Sequence, residues 1–212
     1  MRKIIKQTQI VENFLGQPPP FEEVGSARIF RRIVGGLQWP GANPGALVIL
    51  AEDLQKDPVL GERKLWVLSE YSSGNLSEVV IRCGELKRLK SVEKFYADTT
   101  DRAMMKVSLK CRTEAQISLS RAPLIDEPTA YMTYLNLIRE KTSATKKALY
   151  FKEESALQAL LSSLTVMPTD LKSDYPQIAA LGYALSALVL YPLKKLHWSG
   201  VSYRPRDPVV GI

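Results

Sequence analysis

The 212-residue sequence is poor in the side chains that carry most nucleophilic, redox and metal chemistry. It has two cysteines, Cys83 and Cys111, and one histidine, His197. A structural zinc site takes four Cys or His ligands at paired spacings, so none can be built here. Arg32-Ile33-Val34-Gly35-Gly36 matches the start of activated trypsin-like proteases. Those enzymes also need a histidine in the first half of the chain and a Gly-Asp-Ser-Gly element, and neither is present. There is no phosphate-binding Gly-x-x-x-x-Gly-Lys-Ser/Thr loop and no internal repeat. Long apolar runs are equally scarce. The stretch 175–193 carries no charge and ends at Lys194-Lys195, but Pro176, Gln177, Gly182, Ser186 and Pro192 interrupt it. It reads as a buried helix rather than a membrane span. At the start, Lys6 and Gln7 break the apolar stretch that a signal peptide would need. The expectation is a cytoplasmic protein with reduced, buried thiols; one disulfide is the alternative.

What remains is an ordinary globular composition, 45% apolar and 24% charged, which excludes wholesale disorder and a polytopic membrane protein. Lys and Arg number 29 against 22 Asp and Glu, a net charge of +7. The excess is local: residues 82–112 hold nine basic and four acidic side chains, and 139–152 hold five basic side chains against Glu140 alone. A polyanionic partner fits that distribution.

Gln17-Pro18-Pro19-Pro20 cannot lie inside a helix, so residues 1–28 read as an extended arm. A single domain over 29–195 and an irregular tail over 196–212, with Pro205 and Pro208, complete the division. Within the domain, 29–37, 46–51 and 64–69 are short β-branched or aromatic runs separated by Gly- and Pro-containing turns, which predicts an antiparallel meander of three strands. The period then lengthens to that of a helix over 76–90, followed by a strand over 92–97 and a helix over 102–111. A strand over 115–119, a helix over 128–141, a strand over 149–151 and a helix over 153–164 come next. A long apolar helix over 174–195 closes the domain. Strands that alternate with helices after a meander imply an α/β fold, a mixed sheet with helices on both faces.

Three segments resemble one family, the C-terminal nuclease domain of the large terminase subunit of tailed bacteriophages. The first is Gly36-Leu37-Gln38-Trp39-Pro40-Gly41-Ala42-Asn43-Pro44-Gly45-Ala46-Leu47-Val48, with Gln38 where the family's strand typically ends in Asp. The second, Phe95-Tyr96-Ala97-Asp98, resembles the strand that ends in the family's second acid. The third, Ile178-Ala179-Ala180-Leu181-Gly182-Tyr183-Ala184-Leu185, resembles its closing helix, with Ala179 where the third acid would stand. The resemblance spans 29–191 and implies an RNase H-like fold with a nuclease-like function in DNA packaging. Any ATPase would have to come from another chain of a packaging assembly.

Two-metal nucleases cluster carboxylates to hold a pair of Mg or Mn ions. Of the three positions that the resemblance implies, only Asp98 keeps an acid. A Gln carbonyl is an uncharged ligand, and Ala179 offers none. Substitute acids are Asp174, Asp101 and Glu70, whose ordinary roles would be helix capping, helix initiation and solvation. Arg102, Lys106 and Lys110 fall four apart on one helix, as a phosphate-contacting stripe or a solvated face. Trp39 and Trp66 read as packing residues, and His197 as structural or exposed. The leading expectation is a catalytically impaired, DNA-associated pseudo-nuclease with at most weak metal binding at Asp98. The alternatives are an active Mg- or Mn-dependent endonuclease with a relocated site, and an assembly protein that keeps only the fold and binds a partner through the Pro18–Pro20 arm.

Overall fold

The computed structural model describes residues 30–59, 61–99, 102–117, 119–125, 129–142, 148–151, 155–163 and 171–191. The arm over 1–28, the tail over 196–212, His197 and Asp101 lie outside the described residues. Strands β1 (Phe30–Gln38), β2 (Gly45–Lys56) and β3 (Arg63–Ser73) form the expected antiparallel meander. Helix α1 (Leu76–Lys90) leads to β4 (Lys94–Ala97), which lies parallel to β1. Helix α2 (Arg102–Glu114) leads to β5 (Leu119–Arg121), parallel to β4. Then follow α3 (Ala130–Lys141), β6 (Leu149–Tyr150) beside β3, α4 (Ala156–Ser163), α5 (Leu171–Asp174) and α6 (Pro176–Leu190). The strand order in this mixed sheet is β5-β4-β1-β2-β3-β6.

Local chemistry accounts for the boundaries. Helix α1 starts where the Asn75 side chain accepts the Ser77 backbone N–H at 2.9 Å, carries Glu78 in its first turn, and ends in Lys87, Arg88 and Lys90 before a left-handed Ser91. The predicted strand over 115–119 starts later than expected. Helix α2 runs on to Glu114, and Gln116 takes a left-handed conformation, so pairing with β4 begins only at Leu119 opposite Phe95. The single helix expected over 174–195 is also divided. Pro176 has no N–H and restricts the residue before it, so Tyr175 is non-helical (φ −138°, ψ 66°) and α6 restarts with Pro176 in its first turn. The N-cap of α6 is therefore Tyr175, not Asp174, which ends α5.

Alternation along the strands splits the core in two. Ile33, Leu37, Ile49, Phe95 and Ala97 face α1 and α2, together with Cys83 and Cys111. Val34, Val48, Leu50 and Tyr96 face α3, α4 and α6. Central strand β1 is buried on both faces, and its two glycines are spatial requirements. A Cβ at Gly36 would lie 1.8 Å from the Ala180 carbonyl oxygen and 2.9 Å from the Ala184 nitrogen, so the backbone of α6 rests on that of β1. The buried Arg32 guanidinium donates at 2.8 Å to the Tyr191 carbonyl at the other end of α6. These contacts set α6 antiparallel to β1, its first turns over the strand's C-terminal end.

Candidate functional site

Gln38 ends β1, and Asp98 follows the last residue of β4. The two strands are parallel neighbours with Leu37 opposite Ala97, so residues 38 and 98 stand side by side, about 5 Å apart at the backbone. Both side chains project to the α6 face, because Leu37 and Ala97 belong to the other core. Trp39 ties the two strand ends together, its indole N–H donating to the Asp98 carbonyl at 3.0 Å. Its ring is buried in the core beneath, as the packing reading expects, and Trp66 is likewise buried.

The third position lies on the helix above. Ala179 is fully buried on α6, one turn before Tyr183, whose hydroxyl donates to Gln38 Oε1 at 2.9 Å. The Tyr131 hydroxyl on α3 lies 3.2 Å from that of Tyr183. With the Tyr183 proton committed to Gln38, Tyr131 is the donor of that pair. Tyr134 packs edge-on to both rings, at 5.7 and 5.5 Å between centroids. Gln38 thus ends in a chain of phenols. Asp98, only 6% exposed, is met by a charge instead: the Lys172 ammonium on α5 donates to its carboxylate Oδ2. The same ammonium lies 5.6 Å from the centre of the Tyr131 ring, a cation–π approach.

The substitute acids lie elsewhere or are otherwise engaged. Glu70 on β3 stands three strands from β4, about 14 Å across the sheet. Its carboxylate accepts the Ser155 hydroxyl and, at 2.9 Å, the Leu157 backbone N–H, so it closes the N-terminal end of α4 rather than being solvated. Asp174 is exposed at the end of α5. Among the described residues no three His, Cys, Asp or Glu side chains come together as a group that could hold a metal ion. A pair of divalent ions does not fit this donor set: one carboxylate already bound to an ammonium, one amide oxygen already accepting a phenol proton, and one methyl group.

Of the basic stripe, the side chains of Lys106 and Lys110 are described. The side chain of Arg102 lies outside the described residues. Lys110 turns inward, donating to Ser77 Oγ on α1 at 2.8 Å with Glu114 3.8 Å away. Lys106 is exposed and, with Arg112, lines a cleft of about 590 Å³ that also includes Thr99, the residue after Asp98, and Leu119. That cleft lies beside the C-terminal end of β4.

Lys172, Tyr131 and Tyr183 escaped the sequence reading. Lys172 lies 74 residues from Asp98 and in no recognisable motif. Tyr183 did have a signal, because it stands four residues after Ala179 and therefore on the same helical face.

A mixed sheet that opens with an antiparallel meander, adds two parallel strands beside the first and packs its last helix over their carboxyl ends defines an RNase H-like nuclease fold. Solved structures make the class narrower: this is the fold of the nuclease domain of phage large terminases. The nuclease domain of the large terminase from bacteriophage SPP1, solved with bound manganese, superposes with a TM-score of 0.51 at 16% identity, over 76% of this chain and 90% of that domain. The large terminase nuclease of thermophilic phage G20c gives 0.57 at 13% identity, over 88% of this chain and 98% of that one. The nuclease domain of the large terminase subunit of bacterial virus Sf6 gives 0.50 at 11% identity, over 87% of this chain and 98% of that domain. No protein-family model and no curated protein sequence matches the chain. Among the described residues no helix is long and apolar enough to cross a membrane.

Proposed function

We propose that the chain is a terminase nuclease-like domain of phage or prophage origin that associates with DNA and has lost two-metal catalysis. One observation carries the reading: of the three positions where the resemblance implies acids, two hold Gln38 and Ala179, which cannot ionise, and the third, Asp98, is bound to Lys172. A two-metal centre works as a unit, so a single remaining carboxylate does not leave a fraction of the activity. The manganese in the SPP1 domain is a property of that protein. Here magnesium should bind no tighter than about millimolar, as at other weak oxygen sites.

DNA association is supported by the net charge of +7 and by the cleft that holds Lys106 and Arg112 next to Thr99. Two or three phosphate contacts would give sequence-independent binding whose logarithm falls with log salt at a slope of about −2 to −3. Fluorescence anisotropy with labelled duplex DNA at several salt concentrations, beside a plasmid-nicking assay in manganese, tests the reading. Salt-sensitive binding without nicking is expected, together with clear weakening in Lys106→Gln/Arg112→Gln. Nicking by the parent protein would restore the enzyme reading. Absence of DNA binding at low salt would leave an assembly protein that keeps only the fold.

A further inference from the structure

The carboxylate of Asp98 is almost completely withdrawn from water, and a withdrawn carboxylate needs a compensating cation or it takes up a proton. In a two-metal site the divalent ions supply that charge. Here the Lys172 ammonium is in contact with the carboxylate. The Lys172 side chain is itself 36% exposed, and what holds it here is its anchorage. The neighbouring Leu171 is buried in the core, Lys172 belongs to α5 just before the turn into α6, and its ammonium is flanked by the Tyr131 ring. Beyond that ring, Tyr131 and Tyr183 link to Gln38, so the space next to Asp98 is bordered by a cation and by phenol hydroxyls. An incoming divalent ion would have to displace an ammonium of like charge and take the Gln38 oxygen from its donor.

We propose that Lys172 is the resident counter-ion of Asp98, standing in for metal, and that with the Tyr131–Tyr183 pair it keeps divalent cations out of this end of the sheet. The inference rests on the reading above, that metal chemistry has been lost here, and adds the device that maintains the loss. It makes Lys172 a positioning and charge-compensating residue, with a role independent of any DNA contact.

The test is thermal unfolding of the full chain with and without manganese chloride, for the parent, Lys172→Met, Lys172→Arg and the double variant Asp98→Asn/Lys172→Met. The parent and Lys172→Arg should not respond to manganese. Lys172→Met, which takes the ammonium away from the buried carboxylate, should unfold at a lower temperature and regain about 3 °C or more at manganese concentrations about tenfold above its dissociation constant. The double variant should lose that response and recover part of the stability. A folded Lys172→Met protein that ignores manganese would overturn the counter-ion role while leaving the loss of catalysis intact. A parent protein stabilised by manganese would instead overturn the reading on which the inference rests. Should Lys172→Met not fold at all, the double variant decides. If it folds, charge compensation is the role; if it too fails to fold, Lys172 serves packing alone and the proposal falls.

Discussion

At the scale of single residues, burial rather than reactivity describes the ionisable groups of the core. Burial pushes the Cys83 thiol far above its ordinary range, and Cys111, with Glu114 adding to the effect and Lys110 opposing it, is pushed up from 9.0 to about 11. Neither thiol is therefore a nucleophile at neutral pH. Both should resist an aromatic disulfide reagent at pH 8 in the folded protein and both should react in denaturant; rapid labelling of the native protein would contradict the packing of α1 and α2. The pH dependence has a definite sign. A thiol whose pKa is raised by folding contributes its full stability below the unfolded value, here near pH 9, and loses it as the pH climbs toward about 11. Urea midpoints should therefore fall as the pH rises from about 9 to about 11, and fall less in a Cys83→Ala/Cys111→Ala protein. At this scale the sequence is half legible. Gln38 and Asp98 stand in contiguous segments that can be matched by eye. Lys172 does not, because its partnership is made by tertiary packing and a lone lysine in a polar stretch carries no spacing.

At the scale of elements, the placement of α6 decides whether anything happens at the strand ends. Its run of small residues lets its backbone touch β1, and Gly36 is the position where nothing larger than hydrogen fits. Gly36→Ala should force the helix off the strand, costing roughly 2–3 kcal/mol and lowering Tm by about 5–10 °C, as measured by calorimetry. An unchanged Tm would mean that α6 does not lie where its contacts with β1 put it. Glu70 belongs to the same scale, as a strand acid spent on a helix end. Glu70→Gln should lower stability by about 1 kcal/mol in a urea titration, through loss of a charged cap, and leave any response to manganese unchanged. The elements themselves are readable from period and punctuation: α1 falls over 76–90 as its apolar spacing predicts. Two boundaries are not, for physical reasons. The apolar run through Pro176 looks like one helix although the proline sets the first turn of a new one, and the apolar residues 115 and 117 suggest a strand where a helix end and a left-handed turn intervene.

At the scale of the whole molecule, a six-stranded mixed sheet with helices on both faces brings Gln38, Asp98 and the first turns of α6 to one end, and it opens a cleft lined by two cations beside that end. That arrangement is the architecture of a nuclease domain. At the strand ends the polar groups are answered internally: an ammonium meets the buried carboxylate and a phenol meets the neighbouring amide. The two cores need only the strand and helix patterns, whereas a two-metal centre needs every acid. This is also why the fold is legible from short motifs while the state of the site depends on a residue outside them. The most direct test is a crystal of the protein soaked in about 0.1 mM manganese, below the millimolar affinity of weak oxygen sites but enough to fill a tight two-metal centre, with anomalous scattering recorded. The account predicts no anomalous peak at the carboxyl ends of β1 and β4 and a Lys172 ammonium on Asp98. Two peaks about 4 Å apart that bridge Asp98, with Lys172 turned away, would contradict it.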